Sequence, residues 1–110
     1  MTHWFRVYDE LVDDPKVQRL ELSLFKALIN LWCLASANDG VLPPIEVIAF
    51  KLRMKPENAK RILDRLKAEG LFEEDETGTH PHNWEQRQHK SDVGDPTAAE
   101  RMRRYRNKAA

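Results

Sequence analysis

Residues 40–84 read GVLPPIEVIAFKLRMKPENAKRILDRLKAEGLFEEDETGTHPHNW, and this stretch decides the fold. Asn38-Asp39-Gly40 is a turn signal, and Val41 and Leu42 after it form a brief apolar run, predicted as a short strand. Pro43 and Pro44 stop that strand and suit a first helical turn, which makes no use of the N–H that proline lacks. Ile45, Ile48, Ala49 and Leu52 then fall at i, i+3, i+4 and i+7, one face of a helix. Lys55 precedes Pro56 and is pushed out of helical geometry, so it marks a boundary, and Pro56 opens a second helix. Ala59, Ile62, Leu63 and Leu66 make its apolar stripe, and Gly70 is placed to end it. Leu71 and Phe72 begin a strand, a turn is expected at Glu76-Thr77-Gly78, and residues 79–84 are able to return as its partner. Strand, helix, short turn, helix and hairpin is the order of a winged helix-turn-helix, in which the second helix is offered to a partner, most often the DNA major groove. The expected fold class is therefore mainly α with a small β-hairpin.

Outward from this stretch, the chain of 110 residues is the size of one domain. The organisation read from it is a winged helix-turn-helix over residues 1–94 and a basic C-terminal helix or tail over residues 95–110. Ser23 is read as the cap of a helix over residues 24–37 that is apolar almost all round and therefore a central support. So apolar a helix in a small chain also raises the expectation of a homodimer. Ahead of it, Trp4, Phe5, Val7, Tyr8 and Leu11 form an apolar cluster that either covers the core or holds a strand from Trp4 to Val7. Asp14 and Pro15 suit the cap and first residue of a short helix reaching Leu20.

The net charge is zero, unlike that of a protein that binds nucleic acid by bulk charge. Its distribution is uneven. Residues 1–22 carry three basic and five acidic side chains, a net −2, and residues 71–84 carry none and four, a net −4. Residues 55–70 carry five and three, a net +2, and residues 85–110 carry seven and four, a net +3. A phosphate-bearing partner is thus expected at the second helix and at the tail. Glu73-Glu74-Asp75-Glu76 in the hairpin repels a phosphate backbone, so this wing faces away from DNA or meets a protein.

On the second helix, Asn58 suits adenine and Arg61 guanine, with Lys55, Lys60 and Arg65 on phosphates. The competing reading is a solvated face stabilised by the i,i+4 pairs Glu57–Arg61 and Lys60–Asp64. In the tail, Ala98, Met102, Tyr105 and Ala109 make a thin stripe, surrounded by Arg101, Arg103, Arg104, Arg106 and Lys108. Its alternatives are an arm on the nucleic-acid backbone, a linker helix, a helix docked on another subunit, or a frayed basic tail.

Other chemistry finds little support. Cys33 is the single cysteine, read as a small buried hydrophobe, so no internal disulfide is expected. His80 and His82 flank Pro81, but no carboxylate or cysteine completes a recognisable metal spacing. There is no glycine-rich phosphate loop and no GxSxG, so neither an enzyme nor a cofactor is expected. The N-terminus has no apolar region of a signal peptide, and no run approaches the roughly 20 apolar residues of a membrane span, which reads as cytoplasmic.

Five pieces together carry a family resemblance: WFRVYDELVDDPKVQRL (4–20), LFKALINLWCLASANDGVLPP (24–44), IAFKLRM (48–54), HNWEQRQHKSD (82–92) and ERMRRYR (100–106). In this combination the chain resembles the N-terminal domains of phage and prophage replication-initiation proteins, the replisome organisers. Asp95-Pro96 departs from that pattern. The resemblance implies a winged-helix domain that helps to start phage DNA replication by binding origin DNA or by recruiting host replication proteins. In such proteins the basic run leads into a longer C-terminal region, so the chain is expected to be a piece of a longer protein or a short relative. Two other classes share the sequence features: a protein-interaction or oligomerisation module, and a small transcriptional regulator that needs a dimer on a palindromic site.

Overall fold

The computed structural model describes residues 4–90, with side chains up to Gln88. The tail over residues 95–110, with its expected helix, lies outside the described residues. The described part is mainly helical and carries one two-stranded antiparallel hairpin.

A short 3-10 turn, Asp9–Asp13, leads into α1, Pro15–Gln18. Asp14 caps α1 as expected, its carboxylate accepting the Lys16 N–H at 3.0 Å, and Pro15 stands in the first turn. Helix α2, Leu22–Ala37, starts two residues earlier than a cap at Ser23 predicts. Glu21 is the extended residue before it, no side chain caps it, and Ser23 lies inside the helix. Leu24, Ala27, Leu28, Leu31 and Ala35 are buried, and they form an ordinary one-sided stripe rather than an all-round core. Cys33 projects from the other side and is exposed, which corrects its reading as a buried hydrophobe.

The chain leaves α2 through left-handed Asp39 and Gly40, and the Gly40 N–H reaches back to the Ala35 carbonyl at 2.7 Å. The expected strand at Val41 and Leu42 does not form a third member of the sheet. A single hydrogen bond, Leu42 N–H to the Thr79 carbonyl at 2.8 Å, ties it to the hairpin. Pro43 and Pro44 follow with no N–H to donate, so no ladder extends beyond that point.

Helix α3, Ile45–Leu52, and helix α4, Pro56–Ala68, pack on α2 and on each other. Ile48 and Ala49 of α3 are buried with Ala59, Leu63 and Leu66 of α4, as the periodicity requires. The turn between the helices is short because Arg53 adopts a left-handed conformation, φ +60°, and the Met54 N–H closes on the Ala49 carbonyl at 3.0 Å. Lys55 is extended, as the residue before a proline must be. At the far end of α4, Gly70 has φ +80°. The Gly70 N–H bonds the Lys67 carbonyl at 2.9 Å and the Leu71 N–H bonds Leu66 at 3.0 Å, a Schellman ending that turns the chain into the hairpin.

Strands β1, Phe72–Asp75, and β2, Gly78–Pro81, pair from Phe72↔Pro81 to Asp75↔Gly78, leaving Glu76 and Thr77 as the turn. The return strand stops at Pro81 rather than running to Trp84. Asn83 has φ +57°, and the bend it makes buries Trp84 against Gly40. A π-helical turn, Gln86–Lys90, completes the described chain.

The N-terminal segment does not form the strand from Trp4 to Val7 that its composition allows. It is extended and held from a distance of 82 residues: the Gln88 side chain accepts the Arg6 N–H at 2.7 Å and donates to the Arg6 carbonyl at 2.9 Å. Tyr8 donates its hydroxyl to the Arg87 carbonyl. Phe5 packs edge-on to Trp32, with centroids 6.4 Å apart, and lies 5.7 Å from Trp84. The expected role of this cluster as a cover holds for Leu11, packed against the core, and for Phe5, packed on Trp32 and Trp84, whereas Trp4 and Val7 stay largely exposed.

Candidate nucleic-acid interface

Where the cations find partners, and where they do not, singles out one surface. Lys16 pairs with Asp14 at 3.5 Å, Lys67 with Glu74 at 2.7 Å and Arg87 with Glu10 at 2.7 Å. Arg19 and Arg65 share Glu69, at 3.2 and 3.7 Å, and Lys60 meets Asp64 at 3.1 Å. Among the described side chains, the basic residues without a carboxylate partner are Lys26, Lys51, Arg53, Lys55 and Arg61. Four of these five lie between residues 51 and 61, over the end of α3, the turn and the first half of α4. Glu57 is the single carboxylate in that window.

The expected interface residues at α4 each have a definite place. Lys55 is the exposed N-cap residue of α4. Asn58, Arg61 and Arg65 follow it at i, i+3 and i+7 on solvent-facing positions, away from the buried stripe. Lys60 is exposed on the opposite flank. The expected Lys60–Asp64 pair forms, while Glu57–Arg61 does not, so the Arg61 guanidinium is left free. Lys60 and Asp64 keep side-chain exposures of 71% and 55%, and a pair so open to water is worth only a few tenths of a kcal/mol. Arg101, Arg103, Arg104, Arg106 and Lys108 lie outside the described residues.

Lys51 and Arg53 were not singled out from the sequence. The signal that points to them is alternation: Lys51, Arg53 and Lys55 are every second residue across a helix end, where chain direction changes and none can pair with its neighbour. Arg53 holds its left-handed backbone at a cost of about 1–2 kcal/mol for a residue with a Cβ, a position where glycine is the default.

The hairpin is a separate electrostatic unit. Asp75 accepts from the Thr77 hydroxyl at 2.6 Å, the Thr77 N–H at 2.8 Å and His80 Nε2 at 2.7 Å. The Thr77 hydroxyl first, and then His80, hold its carboxyl down to about 2. For His80, partial burial works against the charged ring, but the bonds to Asp75 and to the Pro81 carbonyl outweigh it and raise the pKa above 6.5. His82 lies 3.2 Å from Glu73. Glu73, Glu74 and Glu76 remain exposed. Among the described residues no group of three or more histidine, cysteine or acidic side chains is disposed to hold a metal ion.

A cleft of about 400 Å³ opens between the N-terminal segment, α1 and the chain after β2, with Tyr8, Trp32 and Trp84 in its walls. On its rim Arg87 pairs with Glu10 and Lys16 with Asp14. Among the described residues no helix is long and apolar enough to cross a membrane. Comparisons of the chain with protein-family models, with curated proteins and with solved structures find no match.

Proposed function

We propose that the chain is a DNA-binding winged helix-turn-helix module of the phage replication-initiation type. The observation that carries this reading is the gathering of unpaired cations Lys51, Arg53, Lys55 and Arg61 on α3, the turn and α4. Unpaired cations this close together repel one another, and a phosphate backbone relieves that repulsion while releasing counterions.

In this reading α4 enters the major groove by its N-terminal half. Asn58 and Arg61 meet base edges, the free guanidinium having the planar fork that suits guanine. Lys51, Arg53 and Lys55 sit on the flanking backbone, where the N-terminal N–H groups of α4 add a favourable dipole. Lys60 and Arg65 exchange weak surface pairs for phosphates. The acidic hairpin stays off the duplex and is free for a protein partner, among them host replication proteins. Arg101, Arg103, Arg104, Arg106 and Lys108 extend the contact along the backbone.

A salt series tests this. Binding of the full chain to duplex DNA, followed by fluorescence anisotropy, should weaken linearly with the logarithm of salt concentration, by about 0.9 in slope for each phosphate neutralised. A chain ending at Gly94 should show a smaller slope. Binding indifferent to salt, or absent at low salt on random and on candidate origin sequences, would reject the reading.

A further inference from the structure

The chain has four phenylalanines, and three of them pack: Phe72 is buried, Phe25 is half-buried against the core, and Phe5 is half-buried against Trp32 and Trp84. Phe50 is 74% exposed. It stands on the outer side of α3, opposite the buried Ile48 and Ala49, with the partly exposed Val47 three residues before it on the same side. Nothing in the described chain covers it. Immediately after it come Lys51, Arg53 and Lys55, none with a carboxylate partner.

An exposed ring followed by a row of free cations matches the two needs of a single DNA strand. The aromatic face accepts a base, and the cations accept the phosphates on either side of it. Within a duplex each base face is already stacked on its neighbours, so the ring gains a partner only where a base is unpaired. A second copy of the chain fits the patch less well. Two-fold pairing on α3 doubles the density of unpaired cations at the seam, and an eight-residue helix face falls far below the roughly 1,000 Å² of a stable interface. The single carboxylate of α3, Glu46, lies one turn before Phe50, which directs the strand toward the turn and away from the start of the helix.

We propose that Phe50 is a base-stacking residue and that the corner formed by Phe50, Lys51, Arg53 and Lys55 takes single-stranded DNA. This rests on the DNA-binding reading and adds to it a preference for strand state, fitting a protein that acts where a duplex is being opened.

The test compares a labelled oligothymidylate of about 12 nucleotides with a labelled duplex at one salt concentration. Wild type, Phe50→Ala, Phe50→Trp and the double variant Lys55→Ala/Arg61→Ala are titrated as full chains. Phe50→Ala should weaken oligothymidylate binding about tenfold and leave duplex binding within about twofold, and Phe50→Trp should restore it. Because the ring is exposed, Phe50→Ala should melt within about 4 °C of wild type. Equal loss on both probes, or no loss on oligothymidylate, overturns the stacking role. Binding of the wild type to duplex alone overturns it too, while leaving the DNA-binding reading intact; binding to neither probe ends both. A fall in sedimentation mass on Phe50→Ala would assign the patch to a second copy and overturn the proposal.

Discussion

Replacing Gly40 by alanine should be among the most damaging single-methyl changes in the chain. Gly40 has φ +90°, a conformation that costs a residue with a Cβ about 1–2 kcal/mol. Space adds a second cost. A Cβ there would stand 2.8 Å from Cδ1 of Trp84, closer than real contacts come, and 3.0 Å from its Nε1, which is tight. Trp84 is 9% exposed and packs against Phe5, so its indole yields only by giving up that contact and turning into the cleft it lines. Forcing such a clash into a packed core costs about 1–3 kcal/mol, for a total of roughly 2–5 kcal/mol. Gly70 supplies the control. Its φ is +80°, but an added Cβ meets only the flexible Lys16 chain at 3.6 Å, an ordinary distance. Gly70→Ala should therefore cost the backbone share alone, about 1–2 kcal/mol. Denaturant unfolding followed by tryptophan fluorescence reads both values. In a Trp84→Leu background, which removes the indole and keeps an apolar filling, the cost of Gly40→Ala should fall to that of Gly70→Ala. Equal costs for Gly40→Ala in the two backgrounds would refute the packing argument, as would a smaller cost at Gly40 than at Gly70.

Three further outcomes follow from particular contacts. An NMR titration should place His80 above 6.5 in the folded protein and return it toward 6.5 in Asp75→Asn. A raised folded pKa means that the stability His80 adds is full below 6.5 and is lost as pH rises through the folded value; Asp75, lowered from 3.8 to about 2, contributes above 3.8 and loses it as pH falls toward 2. Gln88→Ala removes both bonds to the Arg6 backbone at a cost of about 1–3 kcal/mol, and hydrogen exchange should rise selectively over residues 4–8. Cys33 is exposed, so a thiol reagent should modify it in the native protein at a rate close to that in the denatured chain; protection until unfolding would contradict its placement on the open side of α2.

The parts of the fold legible in the sequence are those governed by local chemistry. Pro56 and Gly70 bracket α4 because one cannot use an N–H and the other tolerates a positive φ. The apolar stripes of α3 and α4 were readable for the same reason, since burial must repeat with the helical period. What was hidden depends on distant partners. Ser23 is a good cap in isolation, yet α2 begins at Leu22, a residue left 90% exposed. The docking of residues 4–8 on Gln88 and Arg87 leaves no local pattern at all. Cys33 was misjudged because a mostly apolar helix does not state which side is covered. At the interface, Lys55, Asn58, Arg61 and Arg65 could be placed by period alone. Lys51 and Arg53 required knowledge of which cations are already paired, a property of the folded surface.

The most direct measurement is the affinity of two charge-removal variants for duplex DNA under identical salt. Lys55→Ala/Arg61→Ala removes two free cations from the α3–α4 corner, and Lys26→Ala removes the free cation on α2. If the corner is the DNA site, the double variant should lose about tenfold or more in affinity and lower the salt slope by about 1, the share of the Lys55 phosphate contact, while Lys26→Ala stays within about twofold of wild type. Equal, small losses in both would mean that the unpaired cations act only as diffuse charge, and would contradict DNA recognition by this corner.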